Sequence, residues 1–172
     1  MGARMSGEAT AGRRPGARTR GRYAQILDAT PDFVGTADAR GNTLSINPAG
    51  RRMLGVGGDE DLSGTHISRY HPGWAREVVL KEGIPAAVRD GAWEGETALL
   101  SRDGREVPVS QVIIAHRGDD GAVAYLSTVA RDLTERKAAE EQRAYHARLL
   151  ENLDNSVAVL ALKVDRPLPQ EL

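Results

Sequence analysis

The sequence contains no cysteine. Disulfides, cysteine zinc ligands, thiolate nucleophiles and every cofactor anchored through a cysteine sulfur are therefore excluded. No apolar run approaches the roughly 18 residues that span a bilayer. No apolar stretch follows the N-terminal arginines, which argues against a secretory leader. Excess charge of one sign is also missing: the net charge is −1, which argues against a nucleic-acid partner for the chain as a whole. These absences leave a soluble chain, expected in the cytoplasm and without a membrane partner. Its 172 residues are 40% hydrophobic and 27% charged, enough for one domain with a real core plus some additional chain.

Residues 1–22 carry Arg4, Arg13, Arg14, Arg18, Arg20 and Arg22 against Glu8, with no apolar periodicity. They read as a disordered basic tail. Helical spacing begins at Tyr23, Ile26 and Leu27 and stops at Thr30-Pro31-Asp32. Two short extended runs, Phe33–Ala37 and Leu44–Ile46, flank Ala39-Arg40-Gly41-Asn42 and predict a hairpin. Asn47-Pro48 opens a helix with an N-cap and a first-turn proline, Met53 and Leu54 supply its apolar face, and Gly55 ends it. Residues 55–74 are irregular. A longer helix follows through Val78, Val79, Leu80, Ile84, Ala86, Ala87 and Val88 to Asp90-Gly91.

The period then switches to two. Trp93–Ser101, Arg105–His116 and Ala122–Arg131 read as strands separated by Asp103-Gly104 and Asp120-Gly121, a strong hairpin signal. Segregated helices and strands indicate an α+β fold with an antiparallel sheet. Val107, Val109, Gln111, Ile113 and Ala115 share one face of their strand, with Val112 and Ile114 on the other. Leu126, Thr128 and Ala130 likewise oppose Tyr125 and Val129. Both faces are apolar, so both are expected to be covered, one by the middle helices and the other by the Tyr23–Leu27 helix, a partner subunit or both.

From Asp132 to about Leu153 a mostly charged helical pattern predicts a connector or coiled-coil arm, with Ala138, Tyr145 and Leu149 as its best seam positions. A shift of 123 residues aligns Ile26-Leu27-Asp28 with Leu149-Leu150-Glu151, Asp32 with Asn155 and Val34 with Val157. Residues 154–172 are accordingly read as the opening of an incomplete second copy of the domain.

Four segments in this order resemble the PAS sensor domain. Ile26-Leu27-Asp28-Ala29-Thr30-Pro31-Asp32 is similar to its entry helix and turn. Ser45-Ile46-Asn47-Pro48-Ala49-Gly50, with Met53-Leu54-Gly55, resembles its strand-to-helix segment. Trp93-Glu94-Gly95-Glu96 with Asp103-Gly104-Arg105 resembles its "W-x-G-E … DG" hairpin. Asp132-Leu133-Thr134-Glu135-Arg136-Lys137 resembles the "D-I-T-x-R-K" exit motif, with Leu for Ile. The resemblance places the domain at about residues 23–131 and the signalling helix at 132–153. It implies a five-stranded antiparallel sheet of order 2-1-5-4-3 with helices on one face enclosing a small cavity. It also implies a sensory, dimerising module that transmits through its C-terminal helix.

Within that resemblance, the absence of cysteine excludes a flavin–cysteine adduct and a thioester-linked chromophore. Haem would call on His66 or His71, but a lone histidine is more often a cap or surface residue than an axial ligand; His116 is expected to be exposed at a strand end. Non-covalent flavin is excluded by no residue type. The ligand, if there is one, is therefore left unnamed, and no metal site is expected. Candidate cavity-lining residues are Phe33, Met53, Leu99, Gln111, Ile113, Leu126 and Thr128, with Gln111 and Thr128 either orienting a ligand or forming a satisfied polar pair. Asp132, Thr134 and Arg136 are the candidate signal-transmission residues at the sheet-to-helix exit.

Gly57-Gly58-Asp59-Glu60 is not a diguanylate-cyclase signature, because Asp61 stands where Phe is required. His146 lacks the flanking residues of a phosphoacceptor box. No nucleophile triad, phosphate loop or paired-carboxylate arrangement is visible, so no enzymatic activity is expected. The leading expectation is a regulatory module that binds a small molecule or partner and forms a homodimer through the outer sheet face and connector helix. The alternatives are a purely structural dimerisation module, or an N-terminal fragment of a multidomain histidine kinase, cyclic-di-nucleotide enzyme or transcription regulator.

Overall fold

The computed structural model describes the backbone of residues 17–164, and the side chains of residues 22–150 other than residue 24. Helix α1 (Ala17–Ala29) leads into strands β1 (Phe33–Asp38) and β2 (Thr43–Ile46). Helices α2 (Pro48–Leu54), α3 (Gly73–Val78) and α4 (Ile84–Asp90) follow, then strands β3 (Ala92–Leu100), β4 (Glu106–Arg117) and β5 (Val123–Asp132), and finally helix α5 (Thr134–Val164). The five strands form one antiparallel sheet in the order β2-β1-β5-β4-β3, the α+β arrangement expected from the segregated pattern.

All three hairpins close the same way. Gly41 donates to the Asp38 carbonyl, Gly104 to Ser101 and Gly121 to Gly118, and each loop is closed by a bond from its first residue to the carbonyl four residues on. Only the glycines have positive φ, at 85°, 85° and 76°. The Asp-Gly pairs therefore sit in three-residue loops with the glycine in the left-handed region, not in two-residue turns that need both residues there. The aspartates contribute by accepting backbone N–H groups two residues on: Asp38 from Arg40, Asp103 from Arg105 and Asp120 from Ala122.

Helix α2 begins and ends where local chemistry dictates. Asn47 caps it, Pro48 fills its first position, and Gly55 closes it at φ 65°. Asn47 does more than cap. Its Oδ1 accepts from Val34 N and Gly50 N, both at 2.9 Å. Its Nδ2 donates to the carbonyls of Leu27 and Asp32, both at 3.0 Å. The buried amide thus uses its full two-donor, two-acceptor capacity to join α1, the entry turn, β1 and α2. Gly50 completes the joint: a Cβ there would lie 2.6 Å from the Phe33 ring and 2.7 Å from Ile46.

The helix expected at Val78–Val88 is a longer helical run, Gly73–Asp90, with a π turn at Val79–Gly83 in its middle. Pro85 has no N–H to donate and its ring would crowd the carbonyl of Lys81. The wider turn, in which Ile84 N–H reaches back to the Val79 carbonyl, accommodates both. This run covers the inner sheet face with Val79 and Ala87 against Ile113. Phe33, Leu54, Tyr70, Leu99, Val107 and Val109 form the neighbouring part of the core.

The outer face is less covered than its composition suggested. Val34, Val112 and Ile114 are half-buried, and Tyr125 and Val129 are 39% and 37% exposed. Helix α1 does not cover them, since its own Tyr23, Ile26 and Leu27 are exposed.

Two expectations about the chain ends change. Helix α1 starts at Ala17, so residues 17–22, read as part of the tail, are helical; Ala17, Arg18, Arg20 and Arg22 favour helix without any apolar periodicity, and Thr19 and Gly21 among them do not stop it. Residues 1–16 lie outside the described part. At the other end, helix continues to Val164 in place of the expected stop at Leu153, the turn near Asn155 and the strand at Val157. No glycine or proline interrupts Thr134–Val164, and Asp154-Asn155-Ser156 does not by itself stop a helix rich in Ala, Leu, Glu and Arg. Residues 165–172, the remainder of the expected second copy, lie outside the described part. Among the described residues no helix is long and apolar enough to cross a membrane.

Replacing Asn47 by Ala should cost about 3 kcal/mol of stability in urea denaturation, because two buried N–H groups and two carbonyls lose their partner together. Asn47→Asp keeps the acceptors but turns a carboxylate toward two carbonyls, so it should restore only about half of that loss. A cost under about 1 kcal/mol for Asn47→Ala would remove the amide from its joining role.

Candidate functional site

A cavity of about 40 Å³ lies between the sheet and the helices, where the two parts of the core meet. Sequence alternation brings β-strand side chains to it from one side. Of the residues expected to line it, Phe33, Leu99, Gln111, Ile113, Leu126 and Thr128 do so. Met53 does not: it is half-buried and packs on the core beside Leu54, because the α2 face that reaches the sheet is set by Ala49, Gly50 and Leu54. The covering segment contributes residues that strand periodicity could not supply, chiefly Tyr70, His71, Val79 and Ile84.

Gln111 is 2% exposed. Its Oε1 accepts a 2.6 Å hydrogen bond from the Thr97 hydroxyl, so the polar partner of Gln111 is Thr97 on β3. Thr128, which stands opposite Ile113 in the register, is not its partner. Thr97 is not opposite Gln111 either; Gly95 is, and Thr97 faces Val109 two positions along. That diagonal is within reach of side chains as long as glutamine.

His71 is 6% exposed and its Nδ1 lies 2.9 Å from the Ala98 carbonyl. A carbonyl only accepts, so Nδ1 carries the proton and Nε2 is an acceptor. Burial pushes the imidazole below its ordinary pKa, partly offset by that hydrogen bond, so the ring is neutral at pH 7. His66 is engaged at both nitrogens, with Ser68 Oγ at 2.8 Å and the Arg40 carbonyl at 3.1 Å, and it caps the turn at Ile67–Tyr70. His116 is half-buried rather than exposed: Nε2 meets Ser127 Oγ at 2.7 Å and the ring stacks on Tyr125 at 4.2 Å.

Haem and flavin demand pockets on the scale of 300–1,000 Å³. The cavity of about 40 Å³ is far smaller, and of the two candidate haem ligands only His71 lines it. A water needs about 10–15 Å³ of such space, so the cavity has the size of a few waters or a very small organic molecule. Among the described residues no cluster of three metal-ligating side chains occurs.

The exit from the sheet is built around Leu133, which is buried and donates its N–H to the Pro108 carbonyl at 2.8 Å. Asp132 caps α5 by accepting from Thr134 N at 2.7 Å. The Thr134 side chain is exposed. Arg136 reaches Glu96 of β3 at 2.5 Å, and Lys137 holds the other oxygen of the same carboxylate at 2.9 Å. The Lys137 ammonium, and then the Arg136 guanidinium, keep the Glu96 carboxyl below its ordinary pKa. Glu96 and Lys137 were not among the residues expected to transmit a signal, although both stand in the motif segments Trp93–Glu96 and Asp132–Lys137; that the two segments meet is decided by the tertiary structure. Arg131 and Asp32, paired at 3.1 Å, tie the end of β5 to the entry turn.

No curated protein matches the chain. Solved structures do. A PAS domain from Colwellia psychrerythraea superposes with a TM-score of 0.62 at 21% identity, covering 68% of this chain and 98% of that one. The PAS domain of an HTR-like protein from Haloarcula marismortui gives 0.56 at 20% identity, covering 67% and 92%. A domain of a sensory box sensor histidine kinase/response regulator from Geobacter sulfurreducens gives 0.53 at 23% identity, covering 66% and 94%. The profile of the family described as "PAS fold" matches residues 27–138, the span that runs from the end of α1 through the sheet to the first turn of α5, and the chain therefore belongs to that family.

Proposed function

We propose that this chain is a sensory module without catalytic activity of its own: occupancy of the cavity, or contact with a partner, alters the exit of the sheet into α5. One observation carries the reading. Thr97 and Glu96 are adjacent on β3 and face opposite ways. Thr97 holds Gln111 in the cavity wall, while Glu96 holds Arg136 and Lys137 at the start of α5. A change on the inner face must move the strand that grips the helix. Asp132 and the buried Leu133 fix where that helix begins, so a shift of β3 against β5 becomes a tilt or rotation of α5. The Geobacter sulfurreducens neighbour, a domain of a sensor histidine kinase/response regulator, fits this reading.

The same reading makes the chain a homodimer. Tyr125 and Val129 on the outer sheet face, Tyr23, Ile26 and Leu27 on α1, and Tyr145, Leu149 and Leu150 on α5 are all exposed. A second copy covering these surfaces would bury the apolar side chains that the fold itself leaves in water.

Glu96→Gln should leave the melting temperature within about 2 °C of the parent, as expected for exposed ion pairs. It should raise hydrogen exchange in the first turns of α5 by roughly two- to fivefold. Asp132→Ala should do the same through loss of the cap. Unchanged α5 exchange in both variants would sink the coupling. Because the Glu96 pKa is depressed in the folded protein, the grip is present above the ordinary carboxylate range and is lost as pH falls through the lowered value. The Glu96 carboxyl carbon should accordingly titrate below a free glutamate in NMR, and in Lys137→Gln its midpoint should return toward the ordinary value. For the dimer, Val129→Glu should shift the sedimentation coefficient to that of a monomer, whereas a parent chain that already sediments as a monomer would end the dimer proposal.

A further inference from the structure

The cavity has a polarity as well as a volume, and that polarity narrows what it takes. Its wall includes no Lys, Arg, Asp or Glu. Two strongly buried side chains nevertheless present unused nitrogens. Thr97 occupies Gln111 Oε1, and Gln111 Nε2 has no hydrogen-bond partner among the described residues. The Ala98 carbonyl occupies His71 Nδ1, and His71 Nε2 likewise has none. Both side chains line the same cavity, and neither of these nitrogens is sealed from open space.

The neighbours fix the role of each nitrogen. With Oε1 taken by a hydroxyl, Gln111 offers its two amide protons. With Nδ1 donating to a carbonyl, His71 offers the Nε2 lone pair. The cavity thus offers the Gln111 donor and the His71 acceptor, beside the hydroxyls of Thr36, Thr43, Ser45, Tyr70 and Thr128, in otherwise mainly apolar walls, with no charge to balance an ion. An ion entering it would lose its hydration against no counter-charge, whereas a neutral polar group loses much less and recovers it through hydrogen bonds.

We propose that the cavity selects a small uncharged molecule carrying both a hydrogen-bond acceptor, taken by Gln111 Nε2–H, and a donor, given to His71 Nε2, and that it rejects anions and cations of the same shape. This rests on the reading of the cavity as the sensing site and adds the chemical class of what it senses. Primary amides and comparable donor–acceptor molecules of a few heavy atoms belong to that class. The neutral state of buried His71 agrees with it, since a protonated ring would offer no acceptor.

Three planar probes of nearly one shape separate the possibilities: acetamide, acetate and acetamidinium. A ligand of four heavy atoms binds between tens of micromolar and roughly 0.1 M, so NMR titrations of the full chain should run to about 0.3 M. Acetamide should saturably shift the Gln111 side-chain amide and the His71 Nε2 resonance. Its dissociation constant should be at least about tenfold below those of the two ions, whose charge would be unbalanced in the cavity. Gln111→Met, which keeps the volume and loses the donor, should weaken acetamide at least about fivefold. The wild-type resonances report independently should that variant fail to fold. Equal binding of all three probes, no binding of acetamide, or shifts that bypass Gln111 and His71 would overturn the ligand class. Hydrogen exchange of α5 in the same samples tests the sensory reading separately: if acetamide binds as described and α5 does not respond, the ligand class stands and the coupling falls.

Discussion

The fold turns on a single buried amide. Asn47 accepts from β1 and α2 and donates to carbonyls at the end of α1 and in the entry turn. No other residue type offers two donors and two acceptors in so short a side chain. The joint decides where the chain enters the sheet, and Asp32 at its edge also pairs with Arg131 at the end of β5. Entry and exit of the domain are therefore held within a few residues of one another. In the proposed role, a signal leaving through α5 would start close to the joint that Asn47 holds together.

In the proposed mechanism β3 is the element that responds. It is an edge strand, bonded along one side only, to β4. Its inward Leu99 lines the cavity, its inward Thr97 is buried and holds the lining residue Gln111, and its outward Glu96 belongs to the exit. The ion pairs at Glu96 are exposed and individually weak. In the proposed role that weakness is an advantage, because a bond strong enough to stabilise the fold could not be exchanged at modest cost. The π turn imposed by Pro85 lies on the opposite wall, where Val79 and Ile84 face the same space.

What was legible in the sequence was what neighbours along the chain decide. The Asn47-Pro48 start and Gly55 stop of α2, the glycines of the three hairpins and the alternation of Val107, Val109, Gln111 and Ile113 are local, because dihedral preference and side-chain periodicity act over a few residues. Six of the seven expected lining residues follow from that alternation; the seventh, Met53, sits on a short helix where one step of rotation changes which face meets the sheet. The ends differ from expectation for a related reason. Helix at 17–22 and beyond Leu153 carries no regular apolar face to mark it, and no proline within either stretch ends it.

The amino-acid sequence alone determined the class of the fold, the number and direction of its strands and the absence of any cysteine chemistry, since each depends on residue type and short-range order. Tertiary structure decided the rest. Thr97 became the partner of Gln111, Ala98 set which nitrogen of His71 carries the proton, and Glu96 met Arg136 and Lys137 across 40 residues of chain or more. These pairings depend on strand register and on the diagonal reach of side chains. Register is a property of two strands together, so neither strand's sequence states which residue it will face.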